Sequence, residues 1–228
     1  MHLKQHLFLN YPRQLPFFSG IFFLLLFFTL LVVSDPLLLS AKQIELVKEQ
    51  YGEDAVARVM QWQDLLIANR QKNERDKLIA VNDYFNQMKF ISDKSHWGID
   101  DYWATPIEFI ATQAGDCEDF SIAKYFSLLQ LGLDIEKLRL VYVKSRSINQ
   151  AHMVLAYYSS SEPEPLILDN LDKTIKPSSE RSDLIPSYSF NGETLWSSKE
   201  LRSRGAKIGK TGNIEVWKML IDRMSQGK

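Results

Sequence analysis

The only cysteine of this 228-residue chain lies among acidic residues at the start of an apolar helix, in the stretch Gly115-Asp116-Cys117-Glu118-Asp119-Phe120. Asp116 is a favourable N-cap, Asp119 falls three residues later, and Gly132 is suited to end the helix. Few polar positions lie between these ends, so the helix is expected to be buried. A core cysteine is usually an inert small hydrophobe, and three flanking carboxylates are unusual for a core position. We therefore predict that Cys117 is a nucleophile at the start of a central helix.

Hydrophobic periodicity predicts helices before this central helix and strands after it. The predicted helices are Ser40–Tyr51, Val56–Ile67, Glu74–Met88 and Pro106–Gln113. The predicted strands are Leu138–Lys144, His152–Tyr158 and Pro165–Leu171, and Asn191-Gly192 predicts a hairpin turn. Asn213–Met224 fits either a closing helix or a last strand. This order indicates an α+β fold in which the N-terminal helices and the Cys117 helix pack on an antiparallel β-sheet.

Composition limits the classes of protein to which the chain can belong. It is 45% hydrophobic and 24% charged, which is typical of a globular protein long enough for one good core. We assign this domain to residues 35–228. The formal net charge of −1 argues against a nucleic-acid partner. A single cysteine excludes an internal disulfide.

The first 34 residues have a different composition from the rest. Leu15–Val33 contains no charged residue, and the basic Lys4 and Arg13 precede it. This pattern is typical of an export signal, and the run is also close to the minimum length of a membrane span. Residues 1–34 therefore fit either a cleaved signal peptide or an uncleaved signal anchor, with a buried core helix as the alternative. Either form of export places the body of the protein outside the membrane.

Nucleophilic cysteine chemistry needs a base and a third group that orients the base. His152 opens one predicted strand and Asp169 ends the next. A short antiparallel connection brings the start of one strand beside the end of the other, so these residues are expected to be neighbours. Cys117 would complete a Cys-His-Asp set. The helix N-terminus favours its thiolate, and the Cys117 N–H is a candidate donor to an oxyanion.

A polar and aromatic loop, Ser92–Pro106, precedes these elements and contains Trp97 and Trp103. Aromatic residues in a loop rich in turn-forming residues indicate a functional surface or a lid. The two indoles either help to bind the oxyanion and wall a narrow groove, or simply pack beneath the loop.

The acids beside Cys117 oppose its ionisation, because like charges repel. Asp116, Glu118 and Asp119 either serve only as capping and dipole partners of the helix or hold a divalent cation that neutralises them. Carboxylate oxygens suit Ca²⁺. Zinc is disfavoured, because histidine and cysteine ligands are scarce.

Four segments in this order resemble the bacterial transglutaminase-like cysteine proteinases, whose best-known members are the LapG-type periplasmic proteases. These segments are Trp103–Pro106, Gly115–Tyr125, Ala151–Leu155 and Leu168–Asn170. The resemblance implies a papain-like or transglutaminase-like fold. It implies a catalytic triad of Cys117, His152 and Asp169, and calcium-binding acids at Asp116 and Glu118 with Asp119 beside them.

The resemblance also implies an activity and partners. Such proteases cleave a large surface adhesin near its N-terminus at a di-alanine site, which releases the adhesin and disperses biofilm. An inner-membrane receptor that senses cyclic di-GMP sequesters them. The expected location is the periplasm, with the protein either soluble or anchored in the inner membrane by its N-terminal segment.

Two other functions stay open at this point. One is another acyl-transfer enzyme on the same fold, such as a transglutaminase or a peptidoglycan amidase. The other is a non-enzymatic transglutaminase-like binding module.

Overall fold

The Cys117 helix packs on an antiparallel sheet. The structure is a computed structural model that describes residues 39–160, 164–197 and 200–227. These residues belong to one compact unit, residues 35–228. The predicted export segment, residues 1–34, lies outside the described residues. Among those residues, no helix is both long and apolar enough to cross a bilayer.

Helices form most of the first half of the described chain. They are α1 (Ala41–Tyr51), α2 (Glu53–Asn69), α3 (Glu74–Phe85), α4 (Asp93–His96), α5 (Pro106–Thr112), α6 (Cys117–Gln130) and, near the C-terminus, α7 (Glu215–Ser225). The caps explain several boundaries, since Ser40 and Thr105 each begin a helix with a capping box. The predicted helices are confirmed, and Asn213–Met224 is largely helix rather than strand.

The strands form two sheets. They are β1 (Lys89–Phe90), β2 (Ala114–Gly115), β3 (Leu138–Ser145), β4 (Gln150–Tyr157), β5 (Leu166–Leu168), β6 (Lys176–Pro177), β7 (Leu184–Phe190), β8 (Thr194–Ser197) and β9 (Ala206–Lys210). The large sheet has the order β6-β5-β4-β3-β7-β8-β9, and all of its pairs are antiparallel. The predicted α+β class is confirmed, and so is the hairpin turn at Asn191-Gly192.

The central helix α6 is buried as predicted. Phe120, Ile122 and Leu128 are each at most 2% exposed, and burial of each such side chain contributes roughly 1.5–3 kcal/mol to folding. Gly132 follows the helix with φ of +83°, a left-handed conformation that favours glycine after a helix C-terminus. Cys117 is the first residue of this helix, so packing of α6 on the sheet fixes the position of the cysteine.

The small sheet positions the loop in front of the site. β1 pairs in parallel with β2, which brings Phe90 opposite Gly115. The loop that begins after β1 therefore starts beside the N-terminus of α6. This long-range pairing was not predicted.

The third predicted strand is shorter than expected. The prediction ran over Pro165–Leu171, but β5 ends at Leu168. The chain then turns, and the carboxylate of Asp169 accepts a hydrogen bond from the Leu171 N–H. Asp169 consequently lies just beyond the strand end rather than within the ladder.

Candidate active site

His152 and Asp169 form a buried pair at one edge of the large sheet. His152 Nε2 lies 2.8 Å from Asp169 Oδ1, and the two residues are 2% and 1% exposed. Antiparallel pairing of β4 with β5 sets this contact, since Leu155 is opposite Leu168. The neighbourhood predicted from the strand order is therefore observed.

Every oxygen of the Asp169 carboxylate has a donor. Oδ1 accepts from His152 and from the Leu171 N–H, and Oδ2 accepts from Arg181 Nη2 over 2.7 Å. Burial alone would raise the pKa of Asp169, but the hydrogen bonds from His152, the Leu171 N–H and Arg181 hold that pKa well below its ordinary value. Asp169 is thus a permanent carboxylate at neutral pH.

The carboxylate defines the tautomer of His152. Because Asp169 Oδ1 only accepts, His152 Nε2 carries the hydrogen. In the neutral ring, Nδ1 is then an acceptor that is able to take a proton. Sequence reasoning missed Arg181, which lies twelve residues beyond Asp169 and whose side chain is 3% exposed.

Cys117 lies next to the strand that carries His152. Its thiol is half-buried, accepts a hydrogen bond from the Met153 main chain, and donates one to Glu118 Oε2 over 3.1 Å. Met153 follows His152 directly, so the contact places Sγ beside the strand that carries the imidazole. Burial raises the pKa of the thiol, and the charges of Glu118 and Asp116 raise it further.

The cleft has a volume of about 420 Å³, and both Cys117 and His152 line it. Tyr142 and Tyr188, stacked with ring centroids 5.1 Å apart, form part of its wall together with Trp103. Of the two alternatives given for Trp97, the structure shows packing within the loop and not a place in the cleft wall. Its indole packs against Tyr102 with centroids 4.8 Å apart, and it is not among the residues that line the cleft.

The acids of the central helix belong to a larger cluster. Carboxylate oxygens of Asp93, Asp116 and Asp119 lie within 4.8 Å of one another, as do those of Asp93, Asp101 and Glu118. Asp93 is the first residue of α4, and Asp101 lies in the loop that follows α4. Neither was predicted, and their only sequence signal is the acidic character of that loop.

This cluster fits a hard divalent cation. Asp93 Oδ1 and Asp116 Oδ1 are buried and have no hydrogen-bond partner among the described residues. Burial and the neighbouring acids raise the pKa of Asp93 to about 6 and that of Asp116 to about 8. These carboxylates are shielded from water and repel one another, and both effects are unfavourable for their charged forms. A bound divalent cation would offset both effects.

Asp119 has the helix-capping role that its position at the start of α6 predicts. Its Oδ1 accepts from the Ala104 N–H over 2.7 Å, and its Oδ2 accepts from the Asp116 N–H over 3.2 Å. The side chain thereby ties the aromatic loop to the helix start. A Cβ at Gly115 would overlap this carboxylate, which explains why glycine stands there. Its place as a cation ligand stays a prediction.

The chain matches a known protein family over more than half of its length. The family described as "Bacterial transglutaminase-like cysteine proteinase BTLCP" matches residues 50–197. This chain belongs to that family. No curated protein sequence matches it significantly. Membership makes the chain a transglutaminase-like cysteine proteinase, as the resemblance implied.

Solved structures of Legionella pneumophila LapG are similar to this family member. The EGTA-treated LapG is 41% identical with a TM-score of 0.71, over 82% of this chain and 98% of that one. The calcium-bound LapG is 40% identical with a TM-score of 0.69, over 82% and 99%. LapG itself therefore exists in a calcium-bound form.

Proposed function

We propose that this protein is a calcium-dependent periplasmic cysteine endopeptidase with a Cys117-His152-Asp169 triad. The observation that carries the proposal is a cleft lined by both Cys117 and His152, in which His152 is paired with buried Asp169 and an acidic cluster lies next to Cys117. Its substrate is a large surface adhesin, cut near the N-terminus at a di-alanine site, with dispersal of biofilm as the result. The resemblance to LapG-type proteases supports this choice of substrate.

The residues of the chain supply each proton transfer. His152 Nδ1 takes the proton of Cys117 Sγ, and the thiolate attacks the carbonyl carbon of the scissile peptide. The resulting imidazolium is stabilised by Asp169 and then donates its proton to the leaving amine as the C–N bond breaks. Water attacks the thioester, which releases the carboxylic acid and restores the thiol.

Calcium belongs in this proposal because the cluster fits it and because LapG has a calcium-bound structure. Asp93, Asp101, Asp116 and Glu118 would hold the ion. When bound, calcium neutralises these acids and fixes the aromatic loop to the start of α6. Glu118 is now the acceptor of the Cys117 thiol, so its engagement in a metal site would release the nucleophile towards His152.

Export and regulation are part of the same proposal. The uncharged run Leu15–Val33 behind Lys4 and Arg13 supports passage to the periplasm. Resemblance to LapG-type proteases supports sequestration by an inner-membrane receptor that senses cyclic di-GMP. Resemblance to LapG-type proteases also supports a cleavage site with small side chains, which the cleft lined by Tyr142 and Tyr188 would hold.

The test is incubation of the protein with the N-terminal part of a large secreted adhesin encoded in the same genome. We expect one cut in calcium, no cut in EGTA, and no cut by Cys117→Ala. An amine acceptor is included to detect cross-linking. Cleavage by Cys117→Ala would overturn the protease proposal, and a cross-linked product without cleavage would identify a transglutaminase instead.

A further inference from the structure

Lys124 is a buried lysine behind the active site, with a side chain that does not reach the cleft. It is 1% exposed, and its Nζ has three oxygen acceptors. These are Asn82 Oδ1 at 3.0 Å, Asn86 Oδ1 at 2.8 Å and the main-chain carbonyl of Asp169 at 3.0 Å. The third acceptor connects the lysine to the residue that orients His152.

The two asparagines complete a closed network around this ammonium. Asn86 Nδ2 donates to the same Asp169 carbonyl over 2.9 Å and to Asn82 Oδ1 over 3.1 Å. Asn82 Nδ2 donates to the Lys173 carbonyl over 2.8 Å, further along the same turn. The network therefore joins α3, α6 and the turn after β5 at one point.

Burial of the Lys124 ammonium is energetically unfavourable, so its position within the core calls for an explanation. Burial lowers the pKa of Lys124 to about 7, against the attraction of Asp169 and Asp83. A well-packed apolar side chain at this place would avoid that cost. The lysine instead contributes a hydrogen bond to a carbonyl that lies outside regular secondary structure, just beyond the end of β5.

We propose that Lys124, with Asn86, is a positioning residue that fixes the Asp169 main chain and thereby aims its carboxylate at His152. This inference deepens the proposed function and rests on it for the role of the triad. Arg181 and the Leu171 N–H hold the carboxylate of Asp169, whereas Lys124 and Asn86 hold its backbone. Catalytic geometry depends on such support, since a displacement of about 1 Å is able to cost roughly 100-fold in rate.

The test compares Lys124→Met and Asn86→Ala with a matched control, Lys77→Met. Lys77 Nζ also donates to a main-chain carbonyl, that of Leu131 at 2.8 Å, at the opposite end of α6. Each variant is assayed for thermal unfolding, for kcat and KM on the adhesin fragment, and for the His152 ring nitrogens by ¹⁵N NMR. The spectrum of His152→Gln assigns the ring signals.

We expect Lys124→Met and Asn86→Ala to lower kcat by roughly 10–100-fold with KM within about twofold. We also expect the Nε2–H signal of His152 to shift or to exchange with the other tautomer. Lys77→Met should keep the wild-type kcat and spectrum, even if its stability falls. If Lys124→Met does not fold, Asn86→Ala decides by the same criteria.

A folded variant with the wild-type kcat and the wild-type His152 spectrum would overturn the proposal, whatever its melting temperature. The NMR measurement needs no substrate, so it separates this proposal from the proposed function. If the wild-type protein cleaves no adhesin but Lys124→Met and Asn86→Ala still change the His152 spectrum, the positioning role is supported and the proposed protease function is contradicted.

Discussion

Cys117 Sγ donates a hydrogen bond to Glu118 Oε2 over 3.1 Å, so the nucleophile and a candidate calcium ligand are directly connected. The acceptor is part of an acidic cluster to which Asp93 and Asp101 contribute. The thiol and His152 lie in the same cleft. Whether the acidic cluster holds calcium is therefore expected to determine whether the Cys117 thiol bonds to Glu118 or to the His152 imidazole.

Asp169→Asn should remove the charge that fixes the His152 tautomer while it keeps the shape of the site. We expect kcat to fall by about 10³–10⁴-fold with little change in KM. Steady-state cleavage of the adhesin fragment measures this effect. Asp183→Asn is the matched control, because Asp183 also pairs with Arg181 but is not bonded to His152. An equal fall in kcat in both variants would mean that Asp169 acts through its pairing with Arg181 and not through its bond to His152.

Arg181→Met should make stability depend differently on pH. The pKa of Asp169 is held below its ordinary value, so this carboxylate stabilises the fold above about pH 4 and less as the pH falls. Loss of Arg181 leaves a buried charge poorly paired and raises that pKa, at a cost of about 3–5 kcal/mol near pH 7.

Denaturant unfolding between pH 3 and pH 7 measures this cost. The difference from the wild type should shrink below about pH 4, where Asp169 of the variant becomes protonated. Lys176→Met is the control, since its pair with Asp172 is a half-exposed surface contact worth at most about 1 kcal/mol. A pH-independent difference would show that Arg181 acts through packing alone.

Asp93→Asn should weaken calcium binding although Asp93 lies far from the cysteine in sequence. Its Oδ1 is buried without a partner among the described residues, and Oδ2 accepts from the Tyr102 N–H over 2.5 Å. We expect a loss of affinity of roughly 10–100-fold by isothermal titration calorimetry. Asp100→Asn is the control, because Asp100 pairs with Lys94 at the surface. Unchanged affinity in Asp93→Asn would exclude Asp93 from the site.

Gly115→Ala should damage the start of α6 through a steric conflict. The new methyl would overlap the Asp119 carboxylate, which bridges Ala104 and Asp116. We expect a loss of about 1–3 kcal/mol in the free energy of unfolding and weaker calcium binding. Gly212→Ala is the control, since a methyl there has open space around it. Equal stability of the two variants in urea would contradict this account of Gly115.

Local signals in the sequence predicted most of the elements of this fold. Ser40 and Thr105 mark helix starts by capping, and Asn191-Gly192 marks a hairpin. The extent of β5 was overestimated, because the predicted strand ran past the polar Asp169 and Asn170 to Leu171, whereas the chain already turns at Asp169. Propensity alone does not show where a hydrogen-bonded ladder ends.

The site was predictable where one strand connection fixed it, and not where distant segments meet. His152 and Asp169 follow from an antiparallel pair with a short connector. Asp93 reaches the acidic cluster only through the pairing of β1 with β2. Arg181 and Lys124 approach Asp169 by tertiary packing, and neither carries a local pattern that distinguishes it from a surface cation.

Covalent labelling of Cys117 tests the central claim most directly, because the chain has a single cysteine. The protein is treated with a peptide-based, thiol-directed protease inhibitor in calcium or in EGTA, and intact mass is followed over time. The account predicts one adduct in calcium, much slower labelling in EGTA, and slow labelling of His152→Ala in both buffers. Two results would contradict a calcium-dependent nucleophile activated by His152. One is labelling of His152→Ala at the wild-type rate, and the other is labelling of the wild type at the same rate in calcium and in EGTA.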